Sequence, residues 1–499
     1  MRKLYETATL LSWDALVLFL PLTSLPLLSK VMGGTNVAPI SAVFLAILVF
    51  IWLIPGIVHH RALPYPTVPL LVFFFLALLS SFLAFFLPLP TFKNEGIWKN
   101  LLSSLVTLGV GTCFYLVASL WLSDESKLAH FFRIVNLSGG IALIYSLLQA
   151  VFIIGLNNPP AALYRFQNLI SSSQTLFIGR INGLAFEPSW LAHQLNMFYI
   201  PIWAGLTIKK VSFHKFRLSK LSIENLLLAA SCVVLFLSKS RIGWLAFLAF
   251  TAYLLIRLMD SFRRRLLTRL TSNWQGKGNS KWAGVLFNAI FWLTLALILF
   301  GGLLLAGWVL TRVDPRMVQL FDLQTIKNQG ILGWAAMLVF AERIVYWLAG
   351  IAVFLHYPVF GVGLGNSGYF LPPYISSFGL SSPEILRIFL QDPFLPNPKN
   401  LWVRILAETG IVGFSVFVSW LWSEWKVSRS LERYSTPLAQ AMGLTWQIVL
   451  VGLILEGFSL DTFALPYYWM TLGLIVAVQR VFTSKQSSSS PGQVHSSND

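Results

Sequence analysis

The chain has 499 residues, 56% of them hydrophobic and 11% charged, with a mean hydropathy of +0.71. A soluble domain of this length cannot hide that much apolar surface, which excludes an ordinary globular enzyme and points to many membrane helices. The formal charge of +17 lies in short segments between apolar runs, the pattern of membrane loops rather than of a nucleic-acid surface.

Hydropathy predicts about twelve spans, near 10–28, 37–58, 68–87, 101–122, 134–154, 190–208, 223–237, 242–259, 285–310, 401–420, 438–458 and 462–481. Met1-Arg2-Lys3 followed by an apolar stretch imitates a signal peptide. No small-residue cleavage site follows, so the first span is read as uncleaved. Cys113 and Cys232 both fall inside spans and give neither a disulfide framework nor a metal spacing. The basic loops share one side. They carry Arg2, Lys3 and Arg61, then Lys209, Lys210, Lys215, Arg217 and Lys220, then Arg257, Arg263, Arg264, Arg265, Arg269, Lys277 and Lys281, and finally Arg429 and Arg433. That side is read as cytoplasmic, with both termini inside.

Two long segments, 156–189 and 311–400, fall on the opposite side. Loops of that length are usually functional. The sequence is therefore read as an all-α polytopic membrane protein. One transmembrane domain covers 1–482 and includes an external loop, 311–400, before the tenth span. Residues 483–499 are Ser-rich and are read as a disordered cytoplasmic tail. No fixed-period repeat is visible.

The external side holds arginines that the positive-inside pattern disfavours: Arg165, Arg180, Arg241, Arg312, Arg316, Arg343, Arg387 and Arg404. A guanidinium fork suits phosphate oxygens. Contact with solvent or lipid headgroups is the plainer account of any one of them. In the run from Gly179 to Ala192, Arg180 and Glu187 lie seven positions apart, and Pro188 follows Glu187. Glu187 reads as a helix N-cap and Pro188 as the first helical residue. The positive end of that helix favours an anion. Glu187 can serve as a general base or position a sugar hydroxyl, or it can form a structural pair with Arg180. His193 follows within two turns and reads as a packing donor or a substrate contact.

Ser238-Lys239-Ser240-Arg241 predicts a very tight external turn with two cations. The glycines of the run Pro358–Asn366 make a weak nucleotide signal, because no βαβ unit surrounds them, and a backbone turn accounts for them better. Asn397-Pro398-Lys399-Asn400 opens the tenth span, with Lys399 at its entrance. Arg404 and Glu408, four apart, read as a structural pair on one helix face.

Four pieces resemble the O-antigen ligase and polymerase superfamily of bacterial membrane glycosyltransferases. They are Arg180 with Gly183 and Glu187-Pro188-Ser189; Ser240-Arg241 with Gly243; Arg343 with Trp347 leading to Pro358 and Gly361-Val362-Gly363; and Asn400 with Glu408-Thr409-Gly410. Their order, the span count and the late external loop are similar as well. The resemblance implies action on undecaprenyl-diphosphate-linked glycan at the outer face of the cytoplasmic membrane, by inverting transfer without metal or other cofactor. It implies that Arg180, Arg241 and Arg343 hold the diphosphate. Ligases of the family commonly place a histidine just before the Asn that opens the span, and here that position is Lys399. The Glu187-Pro188-Ser189 form is more similar to the polymerase branch.

The expected function is therefore polymerisation of lipid-linked repeat units into an exopolysaccharide, capsule or O-antigen. The expected catalytic residues are Glu187, Arg180 and Arg343, and the expected substrate contacts are Arg241, Lys399, His193 and Asn400. No metal site is expected, because the external side shows no close Asp/His/Glu set. The expected partners are the bilayer, the lipid-linked glycan and a chain-length regulator, with no nucleic acid. A ligase acting on a lipid core or protein is one alternative. A small-anion transporter is the other, although no internal repeat is visible and the charges cluster at the external ends of spans, which favours the enzyme.

Overall fold

A computed structural model of the chain describes residues 2–31, 35–59, 62–90, 92–93, 96–272, 280–314, 317–318, 324, 327–328, 330, 334, 341–376, 379, 382–392 and 395–488. Most of the segment 315–340, including Arg316, and the tail beyond 488 lie outside the described residues.

The protein is all-α and polytopic. Among the described residues, eight helices are long and apolar enough to cross a membrane. They occupy Ser41–Val58, Tyr65–Phe86, Ile97–Trp121, Glu125–Gly155, Arg241–Arg269, Gly284–Val313, Leu401–Leu431 and Pro437–Glu456. The other four expected spans are also helical. The first is Arg2–Leu18, which ends well before the expected limit at 28. A turn containing Pro21 separates it from the short helix Pro26–Val31, since proline supplies no backbone donor to continue the ladder. The others are Pro188–Gln194 continuing to Ile200–Ile208, Ile223–Leu237 and Pro466–Ser488. The only strands among the described residues are a two-residue hairpin, Arg217–Leu218 with Leu221–Ser222.

By its contacts the chain divides into two units, 1–244 with 345–499, and 245–344. In the first unit the core is aromatic: Trp13, Trp203, Trp420, Trp446 and Trp469 are fully buried. Close backbone approach holds its helices together, as expected where lipid offers no hydrophobic drive between them. Gly205 faces the main chain of Ala441, and Gly473 faces that of Tyr115. Buried carboxylates there are hydrogen-bonded: Tyr115 donates to Glu424 at 2.7 Å and Asn136 to Glu224 at 3.0 Å.

In the second unit the helix that begins at Arg241 continues through Ser272. The basic residues 263–265, expected in a loop, are therefore helical. Asp260 makes this possible by pairing with Arg263 and Arg264 at 2.6 Å each, and Arg263 also lies 5.5 Å from the Trp292 ring centre.

Candidate functional site

The segment leading into Glu187 is pinned by side chains from other elements. Gln149 Oε1 accepts from the backbone N–H of Asn182 at 3.2 Å and of Gly183 at 2.8 Å. Thr23 Oγ1 accepts from Phe186 N–H at 3.0 Å. Gly183 sits at φ +54°, and a Cβ there would run into Ser146 Oγ, so the close turn requires glycine. Glu187 then takes extended backbone as the N-cap, with Pro188 at the first helical position. Its carboxylate is half-buried and accepts from Ser189 Oγ. Arg180, also half-buried, has its guanidinium 4.9 Å from the Phe177 ring centre.

The expected tight turn is present. One helix ends at Leu237 and the next starts at Arg241. Lys239 takes a positive φ of 49°, and Ser240 Oγ accepts from Gly243 N–H at 3.3 Å. Arg241 thus occupies the first turn of a long helix, where the exposed N–H groups already favour an anion. This turn lies against the Glu187 segment: Lys239 Nζ comes within 3.9 Å of where a Cβ on Gly179 would sit, and Gly243 abuts Ala192. Two regions separated in sequence, each bearing arginine, are brought together.

A buried polar network stands behind them. His193 Nδ1 pairs with Glu456 Oε2. Asn196 Nδ2 donates to Glu456 Oε1 at 2.7 Å and to the Gly243 carbonyl at 2.8 Å. His193, Asn196 and Glu456 are at most 2% exposed. Asn196 lies in a π-helical turn, Leu195–Tyr199, inside the helix that Glu187 caps. Such turns are frequent at functional sites. The residue after Glu456, Gly457, accepts from the N–H of Leu401, the start of the helix after Lys399. Asn196 therefore ties the Glu187 helix to the Arg241 turn and to Glu456, whose neighbour Gly457 holds the Lys399 segment.

Lys399 is half-buried, donates to Glu384 at 2.8 Å and lies 5.2 Å from the Tyr346 ring centre. Asn400 caps the next helix by accepting from the N–H groups of Trp402 at 2.9 Å and Val403 at 3.1 Å. Arg404 and Glu408 pair at 3.1 Å, and Ser367 donates to Glu408 at 2.8 Å. The helix Leu401–Leu431 is broken at Gly410, with φ 65° and ψ −170°. The glycine run fills this break. Val362 and Gly363 donate to the carbonyls of Ala407 and Glu408, while Ile411 and Val412 donate to those of Pro358 and Val359. The run is a backbone turn.

Arg343 lies in the second unit, at the first turn of the helix Ala341–His356. It is half-buried, and among the described residues its Nη1 meets no hydrogen-bond partner. Glu456, Asn196 and Ser367 were not singled out from sequence. The available signal for Glu456 was an acid near the end of an apolar span.

The fold and the site define a multi-pass membrane protein with a cationic, carboxylate-bearing site at the ends of its helices. Residues 226–418 match the family model described as O-Antigen ligase, which supports membership of the O-antigen ligase superfamily. The matched stretch includes Arg241, Arg343, Lys399, Asn400, Arg404 and Glu408, and it ends short of Glu456. No curated protein matches the chain.

Proposed function

We propose that the protein polymerises undecaprenyl-diphosphate-linked oligosaccharide repeat units into an exopolysaccharide, capsule or O-antigen. The matched domain supports membrane glycan processing of the O-antigen ligase or polymerase type on a lipid-linked glycan. The observation that carries the finer reading is the approach of the Gly179-Arg180 loop to the Lys239–Arg241 turn, beside the helix capped by Glu187. Cations and a helix N-terminus suit a diphosphate leaving group, and a carboxylate beside them suits an acceptor hydroxyl.

In this reading an acceptor sugar oxygen attacks the anomeric carbon of the donor. The bond from that carbon to the diphosphate oxygen breaks, and the acceptor proton passes to Glu187. Arg180 and Arg241 stabilise the charge gathered on undecaprenyl diphosphate. No metal enters the step. In this reading the basic loops and both termini are cytoplasmic, and the site faces the outer side of the cytoplasmic membrane. A cysteine introduced at Gln174 should then react with an impermeant reagent from outside, and one at Lys220 should not. A chain-length regulator is a further partner in this reading.

Transfer from a purified undecaprenyl-diphosphate oligosaccharide tests the proposal. Glu187→Gln should leave the folded protein intact and lower turnover on the order of a hundred- to ten-thousandfold. Normal turnover would remove Glu187 from the mechanism. The description of the matched family favours one second reading, a ligase. It is identified by transfer to a lipid core or protein in place of a second repeat unit.

A further inference from the structure

Tyr467 is a buried hydroxyl that the account above does not use. It opens the last helix, Pro466–Ser488, and is 0% exposed. Its hydroxyl meets no hydrogen-bond partner among the described residues. The register of its helix is fixed by Thr471, which donates to the Met197 carbonyl at 2.9 Å. The two helices run the same way: Trp469 and Gly473 meet Gly111 and Tyr115 in rising order along Ile97–Trp121, and Gly183 and Tyr199 meet Ser146 and Ser138 in falling order along the next helix, Glu125–Ala150, which turns back from it. Tyr467 is four residues before Thr471, and His193 is four residues before Met197, so one helical turn back sets Tyr467 level with His193. Glu456 and Glu187 both act on it electrostatically. The phenol therefore lies level with the His193–Glu456 pair and within electrostatic reach of the Glu187 carboxylate.

A buried hydroxyl left unpaired costs roughly 1–3 kcal/mol. Such groups are rare in native proteins and call for a specific reason. The phenol both donates and accepts. Its neighbours Glu187 and Glu456 accept when ionised. An alcohol can donate to a carboxylate while accepting from or donating to a phenol, and a sugar presents many.

We propose that Tyr467, braced by the His193–Glu456 pair, forms with Glu187 a subsite for a sugar hydroxyl of the acceptor. This rests on the glycosyl-transfer reading above. It adds a residue that recognises the acceptor to the cations that hold the donor diphosphate.

Tyr467→Phe removes one oxygen and keeps the ring. In the full-length protein, transfer from the purified undecaprenyl-diphosphate oligosaccharide should fall about ten- to a hundredfold, the scale of one lost hydrogen bond. The melting temperature should hold or rise, because an unpaired buried hydroxyl is gone. Adding Tyr467→Phe to Glu187→Gln should cost little more than Glu187→Gln alone, since both act on one hydroxyl. Wild-type turnover in Tyr467→Phe overturns the subsite, as does a loss of activity that tracks a lower melting temperature, which marks a packing role. Absence of transfer by the wild-type protein overturns the glycosyl-transfer reading and the subsite with it.

Discussion

Replacing Arg404 by methionine strands a carboxylate. Glu408 is 1% exposed and accepts from Arg404 Nε through both oxygens at 3.1 Å. Arg404 also donates to the Asp461 carbonyl. Methionine keeps most of the side-chain volume, so the charge is the main loss. Ser367 still donates to Glu408, but one neutral hydroxyl does not replace a cation. Removing one partner of a buried pair costs about 3–5 kcal/mol. The expected destabilisation is thus about 3–5 kcal/mol. Thermal or denaturant unfolding of the detergent-purified protein reads it. The double variant Arg404→Met with Glu408→Gln carries no buried charge, and its amide still accepts from Ser367. It should return to within about 1 kcal/mol of the wild type. A single variant within about 0.5 kcal/mol of wild type, or a double variant no better than the single, refutes the argument that this pair is buried and coupled.

Gly410→Ala should destabilise by about 1–3 kcal/mol from backbone conformation alone, and by more because its Cβ would run into the Val359 carbonyl. Gly302→Ala, at a helical position with nothing within 4 Å of the added Cβ, should instead raise stability by up to about 1 kcal/mol, and the two melting curves should move in opposite directions. Lys399→Ala should change stability by no more than about 1 kcal/mol, because its pair with Glu384 is partly exposed. It should raise KM for the donor with little change in kcat, as expected of a contact made before and during reaction.

Local signals carried into the structure. Glu187-Pro188 was legible as a helix start because proline fits the first helical position and little else in a helix. The turn at 238–240 followed from two apolar runs with four polar residues between them, and Arg404–Glu408 from their spacing of four. What stayed hidden was tertiary. Glu456 meets His193 and Asn196 across about 260 positions, and nothing in one sequence announces that pairing. Hydropathy marks where an apolar run ends, not where a helix ends. The helix starting at Arg241 therefore outran its expected limit at 259 by reaching Ser272. The Leu195–Tyr199 π turn and the Gly410 break have no pattern of their own, since both depend on what packs against them.

The break at Gly410 is a clamped joint. Ala407 and Glu408 before it accept main-chain bonds from Val362 and Gly363, and Ile411 and Val412 after it donate to Pro358 and Val359. The run 358–363 thus splints both sides of the glycine. A bilayer that thins or thickens tilts its spanning rods. A tilt of Leu401–Leu431 then carries that run with it as one body, and Ser367, bonded to Glu408, travels with the Arg404 pair.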